Sequence, residues 1–179
     1  MALLLLYAHP DVPRSRVNAA LRAHAGELAG VTVHDLYARY PDFFVDVSRE
    51  QALLEAHDTI VLQHPFHWYG VPALAKLWID EVLARGWAYG PGGTRLAGKR
   101  WGHAISAGGA AAAYGPGGGH GFTMTEFLRP LERTAGLCGM RWLDPFVVHS
   151  ADDLADDALA DAARRYRAWV SALAGAPGS

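Results

Sequence analysis

Short apolar runs alternate with amphipathic stretches along the whole chain. Residues 2–7 are continuously apolar, which is typical of a strand that is covered on both faces, as in parallel sheets. Residues 31–36 alternate in polarity and predict a second strand. Three more strands are predicted at residues 59–63, 100–106 and 142–149.

The stretches between these strands predict helices. Val17, Leu21 and Leu28 recur on one side of a helical pattern that starts at Arg16 and stops before Gly30. The later helices are predicted at residues 48–56 with Ser48 as the cap, from Pro72 to near Gly86, at 123–136 and at 152–173.

Strands that alternate with helices imply right-handed crossovers and a doubly wound sheet. Five parallel strands in this arrangement commonly take the flavodoxin-like order 2-1-3-4-5, with helices on both faces. We therefore expect an α/β fold with a single domain at residues 1–173. Residues 174–179 are expected to form a frayed tail.

The composition narrows the class of protein. Of 179 residues, 51% are hydrophobic, which supports a substantial core rather than a disordered chain. With 16 basic and 18 acidic residues the net charge is −2, so no positive excess points to nucleic acid. The lone Cys138 cannot form an internal disulfide, and no run of ~20 apolar residues predicts a membrane span. A cytoplasmic protein is expected.

Three loops of unusual composition follow the first, third and fourth predicted strands. In an open parallel sheet, ligands bind beyond the carboxyl ends of the strands, where the strand order reverses. Because these strands are neighbours in the expected order, the three loops should form one site. They contain His9, Pro10, Ser15 and Asn18, then residues 64–70, then residues 106–109 with Tyr114 and His120.

Each loop taken alone has two interpretations. The N–H groups at the start of the first helix, with His9, Ser15 and Asn18, suit an anion such as phosphate, but Ser15 also suits a plain helix cap. Trp68 and Tyr69 suit a flat heterocycle, or they pack on the next helix or at a subunit interface. The paired glycines of the third loop allow close backbone approach, although such pairs also occur in ordinary turns.

Several functional motifs are absent from the sequence. No G-x-G-x-x-G, Walker loop or G-x-S-x-G elbow occurs, which argues against dinucleotide-binding Rossmann, NTPase and α/β-hydrolase proteins. The loop and strand histidines have no accompanying cluster of cysteines or carboxylates, so we predict no metal site. These histidines are His9, His64, His67, His103 and His120.

A combination of short motifs spreads over nearly the whole chain. The motifs are Tyr7-Ala8-His9-Pro10, Leu36-Tyr37, Tyr40-Pro41-Asp42-Phe43, Gln63-His64-Pro65, Trp68-Tyr69, Pro72, Leu77-Trp78-Ile79-Asp80, Gly86-Trp87-Ala88-Tyr89-Gly90 and Gly108-Gly109. Together they resemble the DT-diaphorase-like NAD(P)H:quinone oxidoreductase family. The resemblance is greatest to the small bacterial branch that includes the ancillary proteins of glutathione-regulated potassium-efflux systems.

The resemblance implies a flavodoxin-like homodimer that binds flavin at the strand ends. It implies two-electron, ping-pong transfer from NAD(P)H to quinones. The implied contacts are His9, Ser15, Val17 and Asn18 for the flavin phosphate and ribityl, Pro65, Phe66, His67, Trp68 and Tyr69 for the ring, and Ser106, Ala107, Gly108 and Gly109 for its pyrimidine edge. Tyr114 and His120 match the pair that assists hydride transfer in the diaphorases.

The chain departs from the family pattern in several places. His67 stands where many members have glutamine, and Ser106-Ala107 stands where they have two threonines. The chain also lacks the C-terminal region that helps to hold the adenosine half of FAD in the long diaphorases. We therefore expect FMN rather than FAD.

Two functions are compatible with this resemblance. The first is an FMN-dependent NAD(P)H:quinone reductase, a homodimer with a quinone-like acceptor. The second is a regulatory subunit that docks on a potassium-efflux transporter at the inner face of the membrane, with flavin as a structural or sensing element. A one-electron flavodoxin carrier fits less well, because such carriers are usually more acidic than −2 and use a different phosphate loop.

Overall fold

A computed structural model describes residues 2–11 and 14–175. Its strands are β1 (Leu3–Tyr7), β2 (Val31–Asp35), β3 (Thr59–Pro65), β4 (Arg100–Ser106), β5 (Arg141–Trp142) and β6 (Phe146–Val148). Its helices are α1 (Arg16–Gly26), α2 (Leu36–Arg39), α3 (Val47–Glu55), α4 (Ala73–Val82), α5 (Met124–Leu137) and α6 (Asp156–Gly175), and a 3-10 helix spans Ala111–Ala113.

The sheet has the predicted parallel order, β2-β1-β3-β4-β5, and this confirms the doubly wound fold. Every residue of β1, β3 and β4 is buried, as the continuous apolar run at the start of the chain indicates. The predicted fifth strand is divided into β5 and β6, which both pair with β4. Pro145 lies between them and has no N–H to donate to a neighbouring strand.

Helices cover both faces of the sheet, and alternate residues of β1 enter opposite cores. Leu3 and Leu5 pack in one core with residues of α1 and α6. Leu4 and Leu6 pack in the other core with residues of α3, α4 and α5. The sheet is thus enclosed on both sides, and its carboxyl edge stays open for a ligand.

Several helix boundaries differ from the sequence-based expectation. α3 spans residues 47–55 rather than 48–56, and its N-cap is Asp46, two residues before the predicted cap Ser48; Asp46 accepts a hydrogen bond from the Arg49 N–H at 3.1 Å. α4 ends at Val82 rather than near Gly86, and Pro72 occupies its N-cap position.

The last helix, α6, starts at residue 156 instead of 152 and continues to Gly175. Residues 174 and 175, expected in a frayed tail, are therefore helical, and the rest of that tail, residues 176–179, lies outside the described residues. Among the described residues, the helices are too short or too polar to cross a membrane.

Candidate functional site

A cleft of about 790 Å³ opens beyond the carboxyl ends of β1, β3 and β4. The three loops singled out in the sequence meet in this cleft, where the strand order reverses. The predicted residues in its wall are His9, Ser15, Val17, Asn18, Pro65, Phe66, His67, Ser106 and Gly108. Asp11, Arg14, Arg16, Ala151 and Asp152 also line it. No motif in the sequence had marked these five.

The amino end of α1 provides an anion site at one end of the cleft. An α-helix leaves its first N–H groups without partners inside the helix. Ser15 occupies the N-cap position, its side chain makes no capping hydrogen bond, and the first turn contains no acidic residue. The Ser15 hydroxyl instead lies 2.5 Å from the Tyr7 hydroxyl. The N–H groups of this turn therefore remain open to an anion, and the helix dipole favours one.

His9 lies in the same wall, with its ring stacked on Tyr7 at 6.4 Å between centroids. Its Nδ1 accepts a hydrogen bond from the Asp11 N–H at 3.2 Å, which places the proton of the neutral ring on Nε2. Burial lowers the pKa of His9, and electrostatic repulsion between this ring and His67 acts in the same direction. His9 is therefore a neutral donor at the cleft wall.

A chain of buried hydrogen bonds supports Asn18 and Ser106. The Tyr166 hydroxyl donates to Gln63 Oε1 at 3.0 Å. Gln63 Nε2 donates to the Asn18 backbone carbonyl at 2.7 Å, with the Asn18 side-chain oxygen 3.3 Å away. Asn18 Nδ2 donates to Ser106 Oγ at 2.6 Å. The Asn18 amide thus braces the cleft floor, and Ser106, as an acceptor in this chain, keeps its hydroxyl hydrogen for another partner.

The segment after β3 forms a tight hairpin. The N–H and carbonyl groups of His67 and Gly70 bond reciprocally, at 3.2 and 3.0 Å. Trp68 and Tyr69 lie between them with left-handed φ angles of 47° and 64°. Bulky side chains avoid this conformation, at a cost of roughly 1–2 kcal/mol per residue. The surrounding structure therefore holds the hairpin in a fixed, strained shape.

An aromatic cluster surrounds the hairpin. Tyr69 stacks on Phe127 with centroids 4.9 Å apart, and Phe66 contacts both rings. Tyr114 stacks on His120 at 4.5 Å. A second pocket of about 230 Å³ lies within this cluster and adjoins the cleft, because Phe66 and Gly108 line both cavities. The walls of the second pocket also include Trp68, Tyr69, Gly109, Tyr114 and His120.

Gly109 lies directly against Tyr114 and His120. A Cβ at this position would lie 2.9 Å from His120 Nε2 and 3.1 Å from the Tyr114 hydroxyl. Burial and nearby Tyr69 raise the pKa of Tyr114, and the Gly109 N–H opposes this by favouring the ionised form. The Tyr114 hydroxyl is therefore neutral at physiological pH and able to donate. A peptide N–H, a phenol and an imidazole meet at one edge of the pocket.

Two further residues near Gly109 differ from the sequence-based expectation. Ala107 does not line either cavity, since its side chain is fully buried among Ile105, Met124 and Leu128. His149 also contacts Tyr114, with ring centroids 5.1 Å apart. No spacing pattern in the sequence indicates His149, because it comes from the segment after β6. The described residues contain no cluster of three metal-ligating side chains.

Comparison with known proteins shows the family of this chain. The profile of a family described by its flavodoxin-like fold matches residues 1–170. The glutathione-regulated potassium-efflux system ancillary protein KefG of Pectobacterium carotovorum is 50% identical over 169 residues, which cover 94% of this chain and 92% of that protein.

Solved structures extend the comparison to ligand-bound proteins. General stress protein 14 of Treponema denticola, solved in complex with FMN, superposes with a TM-score of 0.92 at 40% identity and covers 97% of this chain and 99% of its own. An NADPH-quinone reductase of P. pentosaceus superposes with a TM-score of 0.87 at 32% identity, covering 95% and 98%. The chain is similar to these proteins over nearly its whole length.

Proposed function

The chain belongs to the flavodoxin-like family that includes the potassium-efflux ancillary proteins and the NAD(P)H:quinone reductases, and from this premise we propose that it is an FMN-dependent NAD(P)H:quinone oxidoreductase. One observation carries the proposal. The open amino end of α1, the aromatic hairpin and the Gly108-Gly109 segment converge on adjoining cavities at the carboxyl edge of the sheet.

The residues present fit FMN from one end of the cleft to the other. The first turn of α1 and the His9 Nε2–H would hold the phosphate, and Ser106 would donate to the ribityl chain. The rigid hairpin, residues 66–70, would lie under the flavin ring. Gly108 and Gly109 would bring backbone N–H groups to the ring edge, where a side chain would collide with Asp152 or His120.

The bound flavin would supply the hydride chemistry, accepting two electrons from NAD(P)H and passing them to a quinone-like acceptor. The protein's part is electrostatic. The Gly109 N–H, the Tyr114 hydroxyl and the His120 imidazole would act as donors at the edge of the bound ring and would stabilise negative charge there. The hairpin would cover one face of the bound flavin ring. NAD(P)H and the quinone-like acceptor would then bind in turn at the other face, in a ping-pong exchange.

The cofactor assignment is tested on the purified protein. Heat-released chromophore is identified by chromatography, and NAD(P)H oxidation is then followed with and without a quinone. We expect FMN at one equivalent per chain and quinone-dependent turnover. Recovery of FAD alone, or no binding after incubation with excess FMN, would refute the assignment. FMN binding without turnover would favour the second candidate below.

The second candidate is a regulatory subunit of a potassium-efflux transporter, with flavin as a sensing or structural element. The observation that favours it is the 50% identity to KefG over nearly the full length of both chains. Potassium efflux from vesicles that contain the transporter, measured with and without the protein, tests this role. This role would place the protein at the inner face of the membrane. Unchanged potassium efflux at a saturating concentration of the protein would exclude the regulatory role.

A further inference from the structure

Two buried histidines, His64 and His103, have no role in the proposed chemistry. They lie on adjacent strands, β3 and β4, and neither side chain is exposed to solvent. Their rings meet edge to face with centroids 5.3 Å apart, and His64 Nε2 lies 3.1 Å from His103 Nδ1. Buried polar groups need complete hydrogen bonding, so each of the four ring nitrogens requires a partner.

The partners at the two ends fix the direction of every hydrogen bond. Trp101 Nε1 can only donate, and it donates to His103 Nε2 at 2.7 Å. The proton of neutral His103 is therefore on Nδ1, which donates to His64 Nε2. The proton of His64 is then on its own Nδ1, which donates to the Pro65 carbonyl at 2.9 Å. We call this directed chain, Trp101 to His103 to His64 to Pro65, the histidine relay.

The hydrogen bonds of the relay are compatible only with the neutral form of both histidine rings. A second proton on either histidine would place two N–H groups face to face. Burial lowers the pKa of His64 to about 4 and that of His103 well below its usual value, and electrostatic repulsion between His67 and His64 acts on His64 in the same direction. Since all four nitrogens are used, neither ring is free to bind a metal or to exchange protons with a substrate.

The far end of the relay acts on the first peptide unit of the hairpin. The carbonyl of the Pro65–Phe66 peptide accepts from His64, and its N–H donates to the Ser106 carbonyl at 2.7 Å. Both polar atoms of this peptide are therefore held by buried groups. The strained pair Trp68 and Tyr69 follows two residues later.

We propose that the histidine relay holds the Pro65–Phe66 peptide in place and so positions the hairpin against the flavin ring that the cleft would bind. His64 and His103 are positioning residues in this proposal, and they act through the backbone. The part that concerns the ligand rests on the proposed function, whereas the directed relay itself does not.

The first test is independent of any cofactor. Nitrogen-15 NMR of the flavin-free protein distinguishes protonated from unprotonated ring nitrogens. We expect both relay histidines to carry the proton on Nδ1 and to stay unchanged between pH 6 and pH 8. A proton on Nε2 of either ring, or titration of either ring in that range, would overturn the relay.

The second test uses two variants that cut the relay at different bonds. In His64→Asn the amide nitrogen can take the place of Nδ1 and keep the donor to Pro65. In His64→Gln the longer amide reaches the place of Nε2 and loses that donor. We expect amide hydrogen exchange of Phe66 about tenfold faster in His64→Gln than in His64→Asn, the ratio that one hydrogen bond supports. His57→Gln is the control, because His57 Nδ1 bonds the Leu53 carbonyl at 2.8 Å outside the cleft.

FMN affinity then separates this proposal from the proposed function. We expect His64→Gln to bind FMN about tenfold more weakly than His64→Asn, with His57→Gln equal to the parent. If the parent binds no FMN, the proposed function fails, and Phe66 exchange still tests the positioning. If the two His64 variants agree in both Phe66 exchange and FMN affinity, the positioning role is wrong.

Discussion

Replacing Gly109 by alanine perturbs the proposed donor group with a single methyl group. The φ angle of Gly109 lies outside the left-handed region, so the backbone itself accepts alanine without strain. The new Cβ would lie 2.9 Å from His120 Nε2 and 3.1 Å from both Cε2 and the hydroxyl of Tyr114, whereas ordinary contact begins at 3.4 Å. The two rings must therefore move outward together, since they stack on each other.

The size of this displacement sets the expected effect. His120 must retreat by about 0.5 Å and Tyr114 by about 0.3 Å, the differences between these distances and ordinary contact. Overpacking of a rigid core costs ~1–3 kcal/mol, and the low end applies because both rings are partly exposed. The rate of flavin reduction is more sensitive than the stability of the fold, since a 1 Å misplacement in an active site can lower the rate by up to ~10²-fold. We expect flavin reduction to be ~10-fold slower, with FMN still bound.

The assay is stopped-flow bleaching of the oxidised flavin band by NAD(P)H, which isolates the reductive half-reaction. Gly119→Ala is the matched control, because a Cβ there meets no atom within 4 Å. Tyr114→Phe and His120→Ala should each slow the same step ~10-fold, since a partly exposed donor is partly replaced by water. If Gly109→Ala and both of these variants reduce flavin at the parental rate, Tyr114 and His120 are bystanders.

Three other predictions follow from contacts in the structure. Tyr7→Phe removes the hydrogen-bond partner of Ser15 and should weaken FMN binding ~5-fold in a fluorescence titration. The control Thr32→Val should leave binding unchanged, because the Thr32 hydroxyl lies 3.0 Å from His57 Nε2 and does not line the cleft. Glu50→Gln should lower the free energy of unfolding in urea by ~3 kcal/mol near pH 7, because buried Glu50 accepts three hydrogen bonds, and the difference should shrink below pH 4.5. Light scattering should give a homodimer of twice 19.3 kDa that Trp68→Ser weakens, since that indole is 94% exposed; a monomeric parent would contradict this.

The pH dependence for Glu50 follows from two opposing effects on its pKa. Burial raises the pKa, and hydrogen bonds from His34, Tyr40 and Trp78 together outweigh it and hold the pKa below 4.5. A carboxylate whose pKa is lowered on folding stabilises the protein above its unfolded pKa. That contribution is lost as the pH falls through the folded pKa. A stability difference that stays constant down to pH 3 would contradict the assignment.

The strand order and the place of the site could be predicted from the sequence because both depend on hydrophobic pattern. A continuous apolar run identifies β1 as central, and the alternation of strands and helices fixes the crossovers. The predicted boundaries were wrong where a single residue determines where a strand or helix begins or ends. Pro145 divides the fifth strand, and Asp46 takes the capping role assigned to Ser48.

The site residues were harder to predict where side chains pair across strands. The sequence placed Asn18 near an anion, but which atoms its amide meets depends on Gln63 and Ser106, 45 and 88 residues away. Ala107 was assigned to the cleft with its neighbours. Successive side chains of an extended segment point to opposite faces, so once Ser106 faces the cleft, Ala107 faces the core.

The walls of the cleft are held by polar chains that begin deep in the protein. Tyr166 supports Ser106 through Gln63 and Asn18, and Trp101 supports Pro65 through two histidines. Burying so many polar groups is unfavourable unless they find partners, and every side-chain nitrogen and oxygen of these two chains has at least one. Pro65 and Ser106 are paired neighbours in the β3–β4 register, so the two chains end side by side. The C-terminal ends of β3 and β4 are therefore held in place before any ligand binds, and FMN should bind without rearranging the hairpin.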